Sequence, residues 1–217
     1  MKSSQIAAFV VLAAVLAFSS DKGFNPPPAG PAISYPAHEA HTDEKVTIAI
    51  DPFTGAQKAA VFKVKYQEYG FLPIRLIITN DGGQPLMLDA MKIELVTGNR
   101  EKLQPATRDD IFRRISRPEK AASRPKVQLP IPVPHSKDPV GKEARDEVPL
   151  AMFGNVPVMP KSTNSGFLFF DVAGLNDPET GAHLYVSGIK AGTQELFYFD
   201  IPLSAASSPE PSQSPSK

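Results

Sequence analysis

Tyr69-Gly-Phe-Leu-Pro-Ile-Arg-Leu-Ile-Ile-Thr-Asn-Asp-Gly-Gly-Gln-Pro-Leu-Met-Leu88 decides the fold class. Leu72, Ile74, Leu76 and Ile78 recur at every second position, and alternate side chains of an extended chain share one face. Asn80, Asp81, Gly82 and Gly83 follow, residues that tolerate positive φ, so a sharp turn is predicted there. Pro85 then reopens an extended run from Leu86 to Leu88. Pro73 has no amide hydrogen to give a ladder, which predicts a bulge or an edge at the start of this strand.

The pattern extends in both directions. Upstream, Val46, Ile48 and Ile50 alternate in a first strand, and Phe62, Val64 and Tyr66 alternate with Lys63 and Lys65 in a half-exposed second. Downstream, Met91, Ile93 and Leu95 predict a fourth. Thr107-Arg-Asp-Asp110 places a hydroxyl three residues before a carboxylate, a capping box with Asp in place of Glu. Ile111, Phe112 and Ile115 follow at helical spacing, so a short amphipathic helix is predicted over 108–115. Phe167 to Val172 is apolar on both faces, as a strand buried between layers would be. Leu184 and Val186 predict a sixth strand. The last runs from Leu196 to Leu203, with Phe197, Phe199 and Ile201 on one face and the aromatic side chains read as core.

The flanks read differently. Residues 1–20 carry a basic start, a short apolar run and small residues at Ala17 and Ser19, the parts of a signal for export. An uncleaved anchor is the alternative, and only that would bring the chain to a membrane. Residues 21–43, rich in Pro, Ala and Gly, predict an unfolded linker. Between residues 117 and 149 seven prolines at 118, 125, 130, 132, 134, 139 and 149 break every periodic pattern, which predicts an irregular insert. The Ser/Pro-rich tail 204–217 has nothing with which to build a core.

The 23 basic and 23 acidic residues balance, so no global field favours nucleic acid. The absence of cysteine excludes disulfides, thiolate metal sites and a cysteine nucleophile. About seven short strands, turns between them and one helix predict an all-β chain, an antiparallel sandwich of immunoglobulin type over 44–203 with the insert at 117–149. Ile77-Ile-Thr-Asn-Asp-Gly-Gly-Gln-Pro-Leu86 resembles the strand, turn and Pro-Leu restart of immunoglobulin-like domains in bacterial exported proteins. Gly166-Phe-Leu-Phe-Phe-Asp-Val172 and Glu195-Leu-Phe-Tyr-Phe-Asp-Ile-Pro-Leu203 are similar to the closing strands of telokin-like exported domains. The resemblance implies a periplasmic or extracellular β-domain and carries no catalytic residues.

Four features bear on function. His38, Glu39, His41, Asp43 and Glu44 form the one dense group of metal-ligand types, and His38 and His41 would need a helix beneath them to meet one ion. Pro36 argues against that helix, so a solvated linker is the stronger reading and no cofactor is expected. Neither His135 nor His183 has a sequence neighbour that makes it a general base, and no Gly-x-Ser-x-Gly elbow is present. Val127, Leu129, Ile131 and Val133, spaced by Gln and prolines in an extended apolar run, are the docking segment the sequence offers. Tyr66, Tyr69, Tyr185 and Tyr198 are the rings whose exposed face would offer a surface to a ligand such as a glycan. The reading is a non-catalytic exported module that binds another envelope protein or a surface polymer. A hydrolase with loop-assembled residues and a passive spacer are the alternatives.

Overall fold

A computed structural model describes residues 24–116 and 140–207. Among them are eleven strands in three antiparallel sheets and three α-helices. The first sheet, sheet A, has the order β1 (Ala37–His41), β2 (Val46–Pro52), β3 (Phe71–Asn80), β7 (Ser162–Asp171). A second, sheet C, has the order β11 (Phe199–Pro202), β8 (His183–Ser187), β5 (Lys92–Val96), β6 (Lys102–Leu103). The third, small sheet B has the order β10 (Gln194–Glu195), β9 (Lys190–Ala191), β4 (Leu86–Met87).

Sheets A and C share one core. Leu72, Ile74, Leu76 and Ile78 of β3 pack with Leu95, Leu184, Val186, Phe199 and Ile201 of sheet C. The opposite face of sheet A is covered too, so all ten residues of β3 are buried. Phe71, Phe167 and Phe169 lie under α2 (Arg108–Ser116), α3 (Lys142–Ala151) and the segment 53–69. Ala49 and Ile77 lie under Ala29, Ala32 and Tyr35 of the N-terminal segment. That segment reaches from Phe24, stacked on Phe62 at 5.7 Å, to Ala32, whose N–H donates to Thr79 Oγ1 at 2.8 Å. Beneath it Arg75, 5% exposed, donates to Pro27 O at 2.8 Å and Ser165 Oγ at 3.2 Å.

Pro73 is not at a bulge: it pairs with Phe169 of β7 and lies just past the end of the β2 ladder. Its carbonyl accepts from Phe53 N at 2.9 Å, so its nitrogen points the same way, past the last β2 pair, Pro52 with Ile74. The ladder to β7 therefore loses no hydrogen bond. The Phe53 carbonyl takes Gln67 Nε2 at 3.4 Å instead. The turn after β3 also has its own mechanism. None of residues 80–83 has positive φ. Buried Asn80 shapes the turn, accepting from Gly82 N at 2.9 Å and donating to Gln84 O and Val158 O at 2.8 and 3.0 Å.

Further sequence expectations are corrected, beginning with the count: among the described residues there are eleven strands and three helices rather than about seven and one. The second strand does not form: Phe62 to Tyr66 is a loop leading into a 3-10 turn at Tyr66–Tyr69, although Val64 and Tyr66 are buried as the alternation required. The linker is structured over its described part, with Ala32 buried and Ala37–His41 paired to β2. The end of the Pro-rich insert is helical: α3 buries Ala144, Glu147, Val148 and Ala151 at helical spacing and admits Pro149 in its last turn. The final strand is shorter than expected, beginning at Phe199, and Phe197 and Tyr198 are 76% and 62% exposed rather than core.

The helix α2 forms where predicted, with the capping box closed in both directions. Asp110 N donates to Thr107 Oγ1 at 3.2 Å, and Thr107 N donates to Asp110 Oδ2 at 3.1 Å. In β7, Gly166 is required by a close approach, since a Cβ there would lie 2.5 Å from Phe153 Cα. No helix among the described residues is long and apolar enough to cross a membrane.

Candidate functional site

The outward face of sheet C contrasts with that of sheet A. Its inward positions Ile93, Leu95, Leu184, Val186, Phe199 and Ile201 are buried, while the alternate positions turn towards solvent. Register aligns those outward residues in rows: Asp200 with Tyr185 and Glu94, and Pro202 with His183, Val96 and Lys102. Tyr198 extends the surface one residue before β11.

Asp200 is the hub of this face. Its Oδ1 lies 2.6 Å from His183 Nδ1, and the Tyr185 hydroxyl lies beside the same carboxylate. Partial burial and the neighbouring Asp200 carboxylate hold the Tyr185 phenol above its ordinary range, so it stays a donor. The His183 and Tyr185 rings stack at 6.2 Å with an interplanar angle of 21°. On the far strand Glu94 is held by Lys102 Nζ at 3.3 Å and Gln104 Nε2 at 3.0 Å. The result is a surface of aromatic faces and hydrogen-bonding groups, with side chains oriented by one another.

A second polar group closes the edge where β1 meets β11. His41 stacks on Phe199 at 3.9 Å, its Nδ1 2.9 Å from Glu44 Oε2 and its Nε2 3.1 Å from Glu39 Oε1. The other oxygens of both carboxylates accept main-chain amides: Glu44 takes Phe197 N at 3.1 Å, and Glu39 takes Asp200 N. Edge amides of β11 that would otherwise invite another strand are thereby satisfied. Glu39 also joins this clasp to the Asp200 hub through the backbone.

A third group lies on the covered side of sheet A. Glu147 of α3, 1% exposed, accepts from Lys63 N at 2.6 Å and Val64 N at 3.3 Å. The Tyr66 hydroxyl lies against this carboxylate but makes no well-formed hydrogen bond among the described residues. Burial, then the negative charge of Glu147, push the Tyr66 phenol far above its ordinary range.

The sequence candidates fall apart in this geometry. His38 and His41 lie three residues apart on β1, so the strand turns them to opposite faces. His38 Nδ1 meets Tyr35 O at 2.6 Å, while His41 faces Glu39 and Glu44. Among the described residues no group of three or more His, Asp or Glu side chains is arranged to hold a metal ion. Val127, Leu129, Ile131 and Val133 lie outside the described residues, as does His135. Of the four tyrosines, Tyr185 and Tyr198 reach the outer face of sheet C and Tyr66 is buried. His183 does have a carboxylate neighbour, Asp200, seventeen positions on. The cause is the register of β8 against β11, which no local sequence pattern carries. No hydroxyl nucleophile is hydrogen-bonded to His183 among the described residues.

Searches against protein-family models, curated proteins and solved structures find no match for this chain.

Proposed function

We propose that this chain is a non-catalytic, exported, immunoglobulin-like module that binds a surface polymer of sugar character through the outer face of sheet C. One observation supports the reading: of two sheets sharing a core, one has its outer face covered, while among the described residues no further layer lies over the half-buried outer face of the other. Sugar rings present apolar C–H faces bordered by hydroxyls. Tyr185 and Tyr198 offer ring faces for the former, and Asp200, His183, Glu94 and Gln104 offer donors and acceptors for the latter. Such a face suits a repeating polymer, because binding spreads over several weak contacts without a closed pocket.

The export part of this reading rests on the signal-like residues 1–20, and the immunoglobulin-like part on two antiparallel sheets packed face to face. The hydrolase alternative is less well supported. The Asp200–His183 pair resembles the orienting half of a triad, but it packs on Tyr185 and holds no nucleophile among the described residues.

The test is co-sedimentation of the mature protein with insoluble envelope polymer from its native source. Wild type is expected in the pellet, with Tyr185→Ala/Tyr198→Ala left in the supernatant. Retention of that double variant in the pellet would remove sheet C from the account.

A further inference from the structure

On the opposite side of the molecule, the helix α1 (Ala56–Ala59) and the loop after it border a half-open cavity of about 390 Å³. Phe53, Phe62 and Tyr66 form its aromatic wall. Its other wall is Ala56, Ala59 and Ala60, spaced i, i+3 and i+4, so their methyl groups share one helix face. No residue of α1 is buried by the rest of the protein. A helix normally keeps its apolar face by burying it, and here that face looks into the cavity. The volume lies within the range of small-molecule sites.

Charge at the rim selects the ligand. Lys58 is paired with Asp51, and Lys65 with Glu68 at 3.1 Å. Lys63 also lines the cavity, and no carboxylate pairs with it among the described residues. Its backbone is held from behind, because Glu147 accepts from its main-chain amide at 2.6 Å. The lining therefore presents an apolar body and one uncompensated positive charge.

We propose that this cavity binds an amphiphile with a single anionic head, a fatty carboxylate. Its chain lies between the alanine face of α1 and the Phe53, Phe62 and Tyr66 rings, and its carboxylate pairs with Lys63. The site is separate from the outer face of sheet C, and Tyr185→Ala/Tyr198→Ala leaves it intact.

Calorimetric titration of the full chain with decanoate and with decanol tests this. Wild type takes up decanoate in a saturable, one-to-one manner. Ala59→Phe fills the cavity and weakens binding at least about tenfold. Ala60→Phe serves the same purpose should the first variant fail to fold, as judged by circular dichroism. Lys63→Gln weakens decanoate by about tenfold and leaves decanol unchanged. No saturable uptake by wild type, or filled variants that bind as wild type does, overturns the site. Equal loss of decanoate and decanol in Lys63→Gln overturns the assignment of the head group.

Discussion

The two larger sheets of this molecule are made of similar strands, and their outer faces have opposite fates. Sheet A carries Phe71, Phe167, Phe169 and Ile77 outward and hides them under helices, a loop and the N-terminal segment. Sheet C carries Tyr185, Glu94, Lys92 and Asp200 outward, and among the described residues no further layer covers them. The difference follows from side-chain chemistry. An apolar outward row must be buried, so the chain spends its irregular segments on it. A polar row satisfies itself by ion pairs and hydrogen bonds and can stay open. Variants on the covered face should therefore change stability, and variants on the bare face should change binding.

The largest effect should come from Phe167→Ala. This ring meets Phe53 at 4.8 Å and Phe62 at 4.9 Å, and its loss should cost about 4 kcal/mol in urea unfolding. Next is Glu147→Ala, which leaves two main-chain donors of the 63–64 loop without their acceptor. A loss of about 3 kcal/mol is expected in the same assay, with the Val64 amide gaining fast hydrogen exchange. Stability near that of wild type would mean that the loop is not held by α3.

Thr107→Ala should cost about 1 kcal/mol, the worth of a helix cap. It also carries a pH signature. The Thr107 hydrogen bonds hold the Asp110 carboxyl below its ordinary range, so its contribution is present above about pH 4 and lost as pH falls further. A thermal midpoint that declines with acid in wild type should decline less in Thr107→Ala. At the alkaline end the raised Tyr66 phenol acts in the other sense. Its contribution is full below pH 10.0, the ordinary tyrosine value, and lost as pH rises beyond it. Tyr66→Phe should flatten that limb.

The smallest stability effect belongs to the bare face: Tyr198→Ala should shift unfolding by no more than about 0.5 kcal/mol. A larger change would mean that Tyr198 is structural, and the contrast between the faces would weaken.

How much of this was legible in the sequence depends on how local each cause is. Strand β3, β2, β5 and the helix α2 announce themselves through side-chain period and a four-residue cap. Strand β1 does not, because Ala-His-Glu-Ala-His has almost no apolar content and is held by its pairing to β2 and by carboxylates. The helix α3 is masked by Pro149 and by an acidic residue, Glu147, on its buried face. That acid makes sense only once Lys63 and Val64, more than eighty positions earlier, arrive beside it. The Phe62–Tyr66 alternation was real, but its amides turn to Glu147 rather than to a neighbouring strand. The Asp200–His183–Tyr185 group was invisible for a similar reason, being a product of register between two strands.

The most direct test of the central claim is chemical-shift mapping of the labelled protein titrated with soluble oligosaccharides from its native envelope polymer. The account predicts saturable shifts confined to Lys92, Glu94, His183, Tyr185, Tyr198 and Asp200. Shifts confined to the covered side of sheet A, or to the exposed Met87, Val156 and Met159, would contradict it.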